Sequence, residues 1–212
     1  MKIKHILLTL FAAGFMTMSG MAQTARQVLD RTASKIKSAG GIEAAFEATQ
    51  FKGVQENGTT HGQICFQGNK FKITSPALTT WFDGTTQWTL LHGSDEVNVS
   101  TPSEVELQQI NPYTFINLYK KGFNLTLNNS VYQGKSVDEV RMQAQSSSNR
   151  IQVLIVTLDK TSHMPLSIRM KDHKGEWVRI RVSSLKTKRN FNDSTFKFNT
   201  KDHPGIEVID LR

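Results

Sequence analysis

From Ile42 to Val99 the apolar residues fall mostly on every second position, and that period-two alternation restricts the segment to half-buried strands. Ile42, Ala44, Phe46 and Ala48 point one way, while Glu43 and Glu47 point the other. Ile64 and Phe66 alternate with Gln63, Cys65 and Gln67, and Phe71 and Ile73 alternate with Lys70, Lys72 and Thr74. Val97 and Val99 continue the pattern opposite Glu96 and Asn98. One apolar face and one wet face describe an antiparallel sheet covered on a single side. Turn chemistry separates the runs at Asn57-Gly58, Gly68-Asn69, Asp83-Gly84, Gly93-Ser94-Asp95, Gly134-Lys135 and Lys174-Gly175. Roughly ten such strands in sequence imply a sheet that must curl.

Three helices are expected around this sheet. Val28, Leu29, Ala33 and Ile36 lie near helical spacing, with Gly40-Gly41 as the stop. Thr101-Pro102-Ser103-Glu104 offers a capping threonine, a proline in the first turn and a glutamate three positions after the cap. Asn111-Pro112 opens another helix carrying Phe115, Ile116, Leu118 and Tyr119, stopped at Gly122. The expected class is α+β, mainly β: an incomplete, strongly curved antiparallel β-barrel with helices covering its concave side.

The N-terminus carries an address. Lys2 and Lys4 precede an apolar stretch from Ile6 to Met18, and Gly20-Met21-Ala22 supplies the small residues of a cleavage site. The stretch is shorter than the ~20 residues a membrane span needs. The expected organisation is a signal peptide over 1–22, cleaved after Ala22, and one domain over 23–212. A chain beginning Gln23-Thr24-Ala25 has no cysteine to lipidate, so the expectation is a periplasmic protein, exported and not lipid-anchored. Cys65 is the single cysteine, which excludes an internal disulfide and leaves it either buried or a reactive thiol.

The formal charge of +8 falls to +6 when Lys2 and Lys4 are removed. The excess gathers late, in Arg169, Lys171, Lys174, Arg179, Arg181, Lys186, Lys188 and Arg189. An exported protein has no routine access to nucleic acid, so an anionic membrane surface or an acidic partner is the functional alternative to a solvated outer strand face. The alternation of Arg169 with Lys171, and of Arg179 with Arg181, favours the solvated face.

Catalytic motifs are missing. There is no GxSxG elbow, HExxH, phosphate loop or CxxC. His61 and Cys65 share one strand face, but two ligands do not make a zinc site. The expectation is therefore a non-enzymatic protein with no metal and no cofactor, working through its apolar face. Phe46, Phe66, Trp88, Leu90 and Phe115 on that face fit two accounts, an ordinary core or a groove for a hydrophobic ligand, and their spacing does not separate them.

A string of features resembles one family. Gly62-Gln63-Ile64-Cys65-Phe66, then Phe71-Lys72-Ile73, Trp81-Phe82-Asp83-Gly84 and Gln87-Trp88, is similar to the Gly-led strand and following hairpin of the outer-membrane lipoprotein carrier (LolA) family. The resemblance continues through Pro102, Asn111-Pro112-Tyr113-Thr114-Phe115 and Asp159 to Leu166. It ends at Pro204-Gly205-Ile206-Glu207-Val208-Ile209-Asp210, where it is nearest the Bacteroidetes branch.

The resemblance implies a monomeric carrier that takes lipoprotein acyl chains from an inner-membrane releasing transporter and surrenders them to an outer-membrane acceptor. Its implied cavity positions are Phe46, Ile64, Phe66, Phe71, Ile73, Trp88, Leu90, Val97, Phe115 and Leu118. Family members that latch their lid do so with an arginine just after the Gly-led strand. Gly68 stands there in this chain, followed by Asn69 and Lys70, and Lys70 is the substitute latch although it lacks the planar fork of a guanidinium. The alternative is a periplasmic binding protein or sensor for free lipid or other hydrophobic small molecules on the same fold.

Overall fold

The computed structural model describes residues 19–103, 106–107 and 118–212. Helix α1 (Ser19–Ser38) leads into β1 (Gly41–Lys52), β2 (Gln55–Gln67), β3 (Lys70–Thr74), β4 (Leu78–Phe82), β5 (Gln87–Leu91) and β6 (Glu96–Ser100). Then come β7 (Phe123–Tyr132), β8 (Lys135–Ala144), β9 (Ile151–Asp159), β10 (Pro165–Asp172), β11 (Trp177–Arg189) and β12 (Glu207–Asp210). Two short 3-10 turns, Asp193–Phe196 and Thr200–Asp202, lie between the last two strands.

All twelve strands join one sheet in the order β12-β6-β5-β4-β3-β2-β1-β11-β10-β9-β8-β7. Every pairing is antiparallel except β12 with β6. The expected mainly-β class holds, but the expected strongly curved barrel is corrected to an open sheet with β7 and β12 at its ends. The pairing register supplies the reason. β1 pairs with β2 and β11 along almost its whole length, yet β3 meets β2 only at Gln63–Gln67, and β10 meets β11 only at Trp177–Arg181. The two wings are thus hung on opposite halves of the central strands, and they spread apart where a barrel would bring them round to meet.

Side-chain parity defines two faces. The inner face carries Ile42, Ala44, Ile64, Phe66, Phe71 and Phe82 in one wing and Val140, Met142, Leu154, Val156 and Ile168 in the other. α1 packs over its β7–β8 side with Ala25, Val28, Leu29, Thr32 and Ile36, all buried at helical spacing, and the buried Ala39 follows the helix end. The stripe runs through Thr32, while Ala33 is only half-buried. Lys35 and Lys37 in the last turn complement the helix dipole, and Gly40, at φ +69°, releases the chain into β1.

One expected turn moves. Asn57-Gly58 lies inside β2, where the ladder steps from the Thr49–Thr59 pair to the Phe51–Glu56 pair, so the extra residue forms a bulge. The hairpin turns instead at Gly53-Val54, with Gly53 at φ +64° between the paired Lys52 and Gln55. The other expected turns fall where strands end, as at Asp83, whose carboxylate accepts the Thr85 and Thr86 amides.

Mid-chain, the helix cap is Ser103, not Thr101. Ser103 N–H and Oγ both donate to Glu106 Oε2, at 2.8 and 2.7 Å, and Leu107 N–H donates to the Ser103 carbonyl. Glu106 stands three after Ser103 and completes a reciprocal box there. The second expected helix, with Phe115 and Ile116, lies outside the described residues except for its end at Leu118 and Tyr119.

Candidate functional site: an apolar sheet face with a groove at its centre

The inner face is apolar but not evenly sealed. Ile64, Phe66 and Phe71 are buried, and the Phe71 ring sits 5.2 Å from that of Phe82. Phe46, Ile73, Leu118, Leu125, Leu127, Met170, Ile180 and Val182 are only partly buried around them. Phe46 marks the centre: it stands opposite Gly62 on β2 and Val182 on β11. A Cβ on Gly62 would lie 2.4 Å from Phe46 Cζ and 2.5 Å from the Thr74 carbonyl oxygen, so the missing side chain is what lets the ring lie across β2.

Here the wings diverge. β3 ends at Thr74, β10 begins at Pro165, and between them opens a groove of about 800 Å³ lined by Phe46, Gly62, Pro76, Leu166 and Val182. His61, Gln133 and Arg181 also border it, and Arg181 Nη1 donates to Glu47 Oε1 at 2.8 Å. The groove therefore mixes apolar contacts from Phe46, Pro76, Leu166 and Val182 with polar groups from Gln63, Thr74, Ser75 and Ser183, and its Glu47 and Arg181 are paired with each other.

The expected cavity residues divide by face. Phe46, Ile64, Phe66, Phe71 and Ile73 share the inner face, and Leu118 is partly buried against the same core. Trp88, Leu90 and Val97 do not join them. Leu90 pairs with Thr79 and Val97, and Trp88 pairs with Trp81 and Val99, all on the outer face. There they form a separate cluster with Trp81, Phe198 and Ile206. The cover over this cluster comes from the C-terminal segment: Phe198 packs edge-on to Trp81 at 5.5 Å, and His203 stacks on Phe198 at 4.9 Å. Phe115 lies outside the described residues.

Lys70 is likewise turned outward. Its ammonium meets Asp193 Oδ1 at 2.7 Å, and that pairing holds the Asp193 carboxyl below its ordinary range. Lys70 therefore ties the C-terminal segment to the outer face. The contact that does tie a mid-chain residue to α1 was not foreseen. Tyr119, 2% exposed, donates its hydroxyl to Asp30 Oδ1, while the Arg26 guanidinium lies 5.8 Å from its ring centre. Burial, reinforced by Asp30, pushes the Tyr119 hydroxyl up to about 12. Aspartate on a helix and a tyrosine 89 residues later leave no local signal of such a contact.

The remaining outer face is a charge ladder. Glu139–Arg169, Glu47–Arg181, Glu56–Arg179 and Glu43–Arg189 pair at 2.7 to 3.2 Å. Half of the late basic excess is therefore a solvated strand face, as its alternation suggested. Cys65 sits on this face, half-buried, free and with its thiol raised by burial. Among the described residues no three His, Cys, Asp or Glu side chains gather into a metal site, and no helix is long and apolar enough to cross a membrane.

The family described as outer membrane lipoprotein carrier protein LolA matches residues 15–174. No curated protein matches the chain. Among solved structures, an uncharacterized conserved protein from Thermus thermophilus superposes with a TM-score of 0.61 at 13% identity, covering 89% of this chain and 99% of that one. A DUF1329 family protein from Desulfovibrio piger gives 0.51 at 11% identity over 88% and 99% of the two chains. A LolA superfamily protein from Nitrosomonas europaea gives 0.46 at 13% identity over 84% and 98%. At these identities the first two likenesses establish a shared fold.

Proposed function

The chain belongs to the outer membrane lipoprotein carrier protein LolA family, and on that premise we propose that it is a periplasmic, non-enzymatic carrier that shields lipoprotein acyl chains in transit. The cargo is taken from a releasing transporter in the inner membrane and given up to an acceptor at the outer membrane. The observation that supports this reading is the groove at Phe46, where apolar side chains stay partly accessible between the two wings of the sheet.

The energetics fit the task. Each buried methylene contributes ~0.8 kcal/mol, so one long acyl chain exposed to water costs on the order of 10 kcal/mol. A carrier has to recover most of that and still let go. Partly buried residues such as Phe46, Ile73 and Val182 provide apolar contact that is gained or lost without dismantling the fully buried core beneath them.

The test uses an environment-sensitive fluorescent fatty acid and native mass spectrometry of the protein purified from the export compartment. Phe46→Glu is expected to abolish probe binding with the sheet intact by circular dichroism, while Trp88→Ala on the outer face retains it. Equal binding by both variants removes the groove from the account. A bound species consisting of lipid without polypeptide redirects the reading to a free-lipid carrier or sensor.

A further inference from the structure

The end of the sheet formed by the β1–β2, β8–β9 and β10–β11 turns has a composition that carriage in the groove does not require. Val54, at the tip of the β1–β2 hairpin, is 96% exposed. A two-residue turn beginning with glycine ordinarily takes a small polar residue next, and a β-branched apolar side chain there contributes nothing to the turn. The register brings other groups to the same end: Phe51 pairs with Trp177, and Trp177 with Lys171. The His173 amide donates to the Arg150 carbonyl at 2.9 Å, joining the β8–β9 turn to the β10–β11 turn.

Cations dominate this end. Lys52, Lys121, Arg150, Lys171, Lys174 and Arg179 face Glu56, Glu106, Asp172 and Glu176. Three of the carboxylates are already engaged: Glu56 pairs with Arg179, Asp172 Oδ1 accepts the Lys174 and Glu176 amides, and Glu106 Oε2 accepts from Ser103. Lys52, Lys121, Arg150 and Lys174 are exposed. An exposed apolar tip, a half-buried tryptophan beside it and a surrounding excess of positive charge match the layers of a bilayer surface: acyl boundary, headgroup level and phosphate.

We propose that this end of the sheet docks on anionic lipid bilayers, with Val54 entering the acyl boundary, Trp177 at headgroup depth and Lys52, Lys121, Arg150 and Lys174 over phosphates. The inference goes beyond the carrier reading and does not depend on it, because none of these residues lines the Phe46 groove. It commits to a membrane and not to a protein acceptor, since the charge is a net positive excess spread around the turns and the apolar contact is a single protruding point without a surrounding shaped patch.

The experiment is co-sedimentation of the protein purified from the export compartment with vesicles of phosphatidylcholine alone and of phosphatidylcholine with 30% phosphatidylglycerol. Binding is expected to the anionic vesicles and to fall steeply in 0.5 M salt. Lys52→Gln and Lys174→Gln are each expected to weaken it about fivefold, the effect of one cation near a charged surface. Val54→Asp is expected to weaken it at least as much, while all three variants keep the wild-type melting temperature and fatty-acid probe binding. Equal sedimentation with both vesicle types, no sedimentation with either, or variants that bind like wild type overturn the proposal. The second outcome assigns this end to a protein surface. Loss of probe binding with vesicle binding intact counts against the carrier reading alone.

Discussion

The two faces of the sheet are built from the same strands and have opposite finish. The inner face is apolar around its centre and closes imperfectly, so that Phe46, Ile73 and Val182 stay partly accessible beside the fully buried Phe71. The outer face is finished wherever it is covered. Four cross-strand ion pairs tile its middle, and the C-terminal segment lays Phe198 and His203 over Trp81. Position on a strand therefore assigns the face: Ile42, Ala44 and Phe46 of β1 turn to the inner side, and Glu43 and Glu47 turn to the charge ladder.

The sharpest way to break the contrast is to hollow the inner face. Phe71→Ala removes a ring 0% exposed between Phe66 and Phe82, and is expected to cost about 3–5 kcal/mol by urea denaturation. Gly62→Val drives a side chain into the Phe46 ring and the Thr74 carbonyl. It is expected to cost about 1–3 kcal/mol, and to weaken acyl-probe binding more than that loss of stability explains, because Phe46 must move.

A smaller effect concerns the tether on α1. Tyr119→Phe leaves Asp30 without its donor and is expected to cost about 1 kcal/mol near neutrality. The folded protein holds the Tyr119 proton more tightly than the unfolded chain, with a pKa of about 12 against 10.0. The tyrosine's contribution is therefore whole below pH 10 and fades as pH climbs toward 12. Melting curves of the two proteins should differ at pH 8 and converge at pH 12; a constant difference would break the assignment. The least effect belongs to the outer face. Glu47→Gln at the half-exposed Arg181 pair is expected to change stability by less than about 1 kcal/mol.

The strand pattern and α1 were legible because both periodicities are strong where one face is covered and the other wet. β1, β3 and the second half of β2 read cleanly for that reason. β4 and β5 did not: Leu78–Phe82 is covered on both faces, by the inner core and by the C-terminal segment, so its alternation disappears, and with it the reference that would assign Trp88 and Leu90 of β5 a side. The open sheet was hidden for another reason. Stagger is a property of pairing register, and no residue in β3 or β10 announces which half of a longer strand it will meet. The pairing of Lys70 with Asp193 had no local signal either, because the two lie 123 residues apart.

The uneven pairing of the long strands has a mechanical consequence. β1 is bonded to neighbours on both sides along nearly its full length, whereas β2 is flanked by β3, and β11 by β10, over only part of theirs. β1 thus behaves as the spine of a half-open book: a change in the angle between the two covers is concentrated along it and, among the described residues, severs no strand pairing from one cover to the other, since each is paired to the spine's own neighbours.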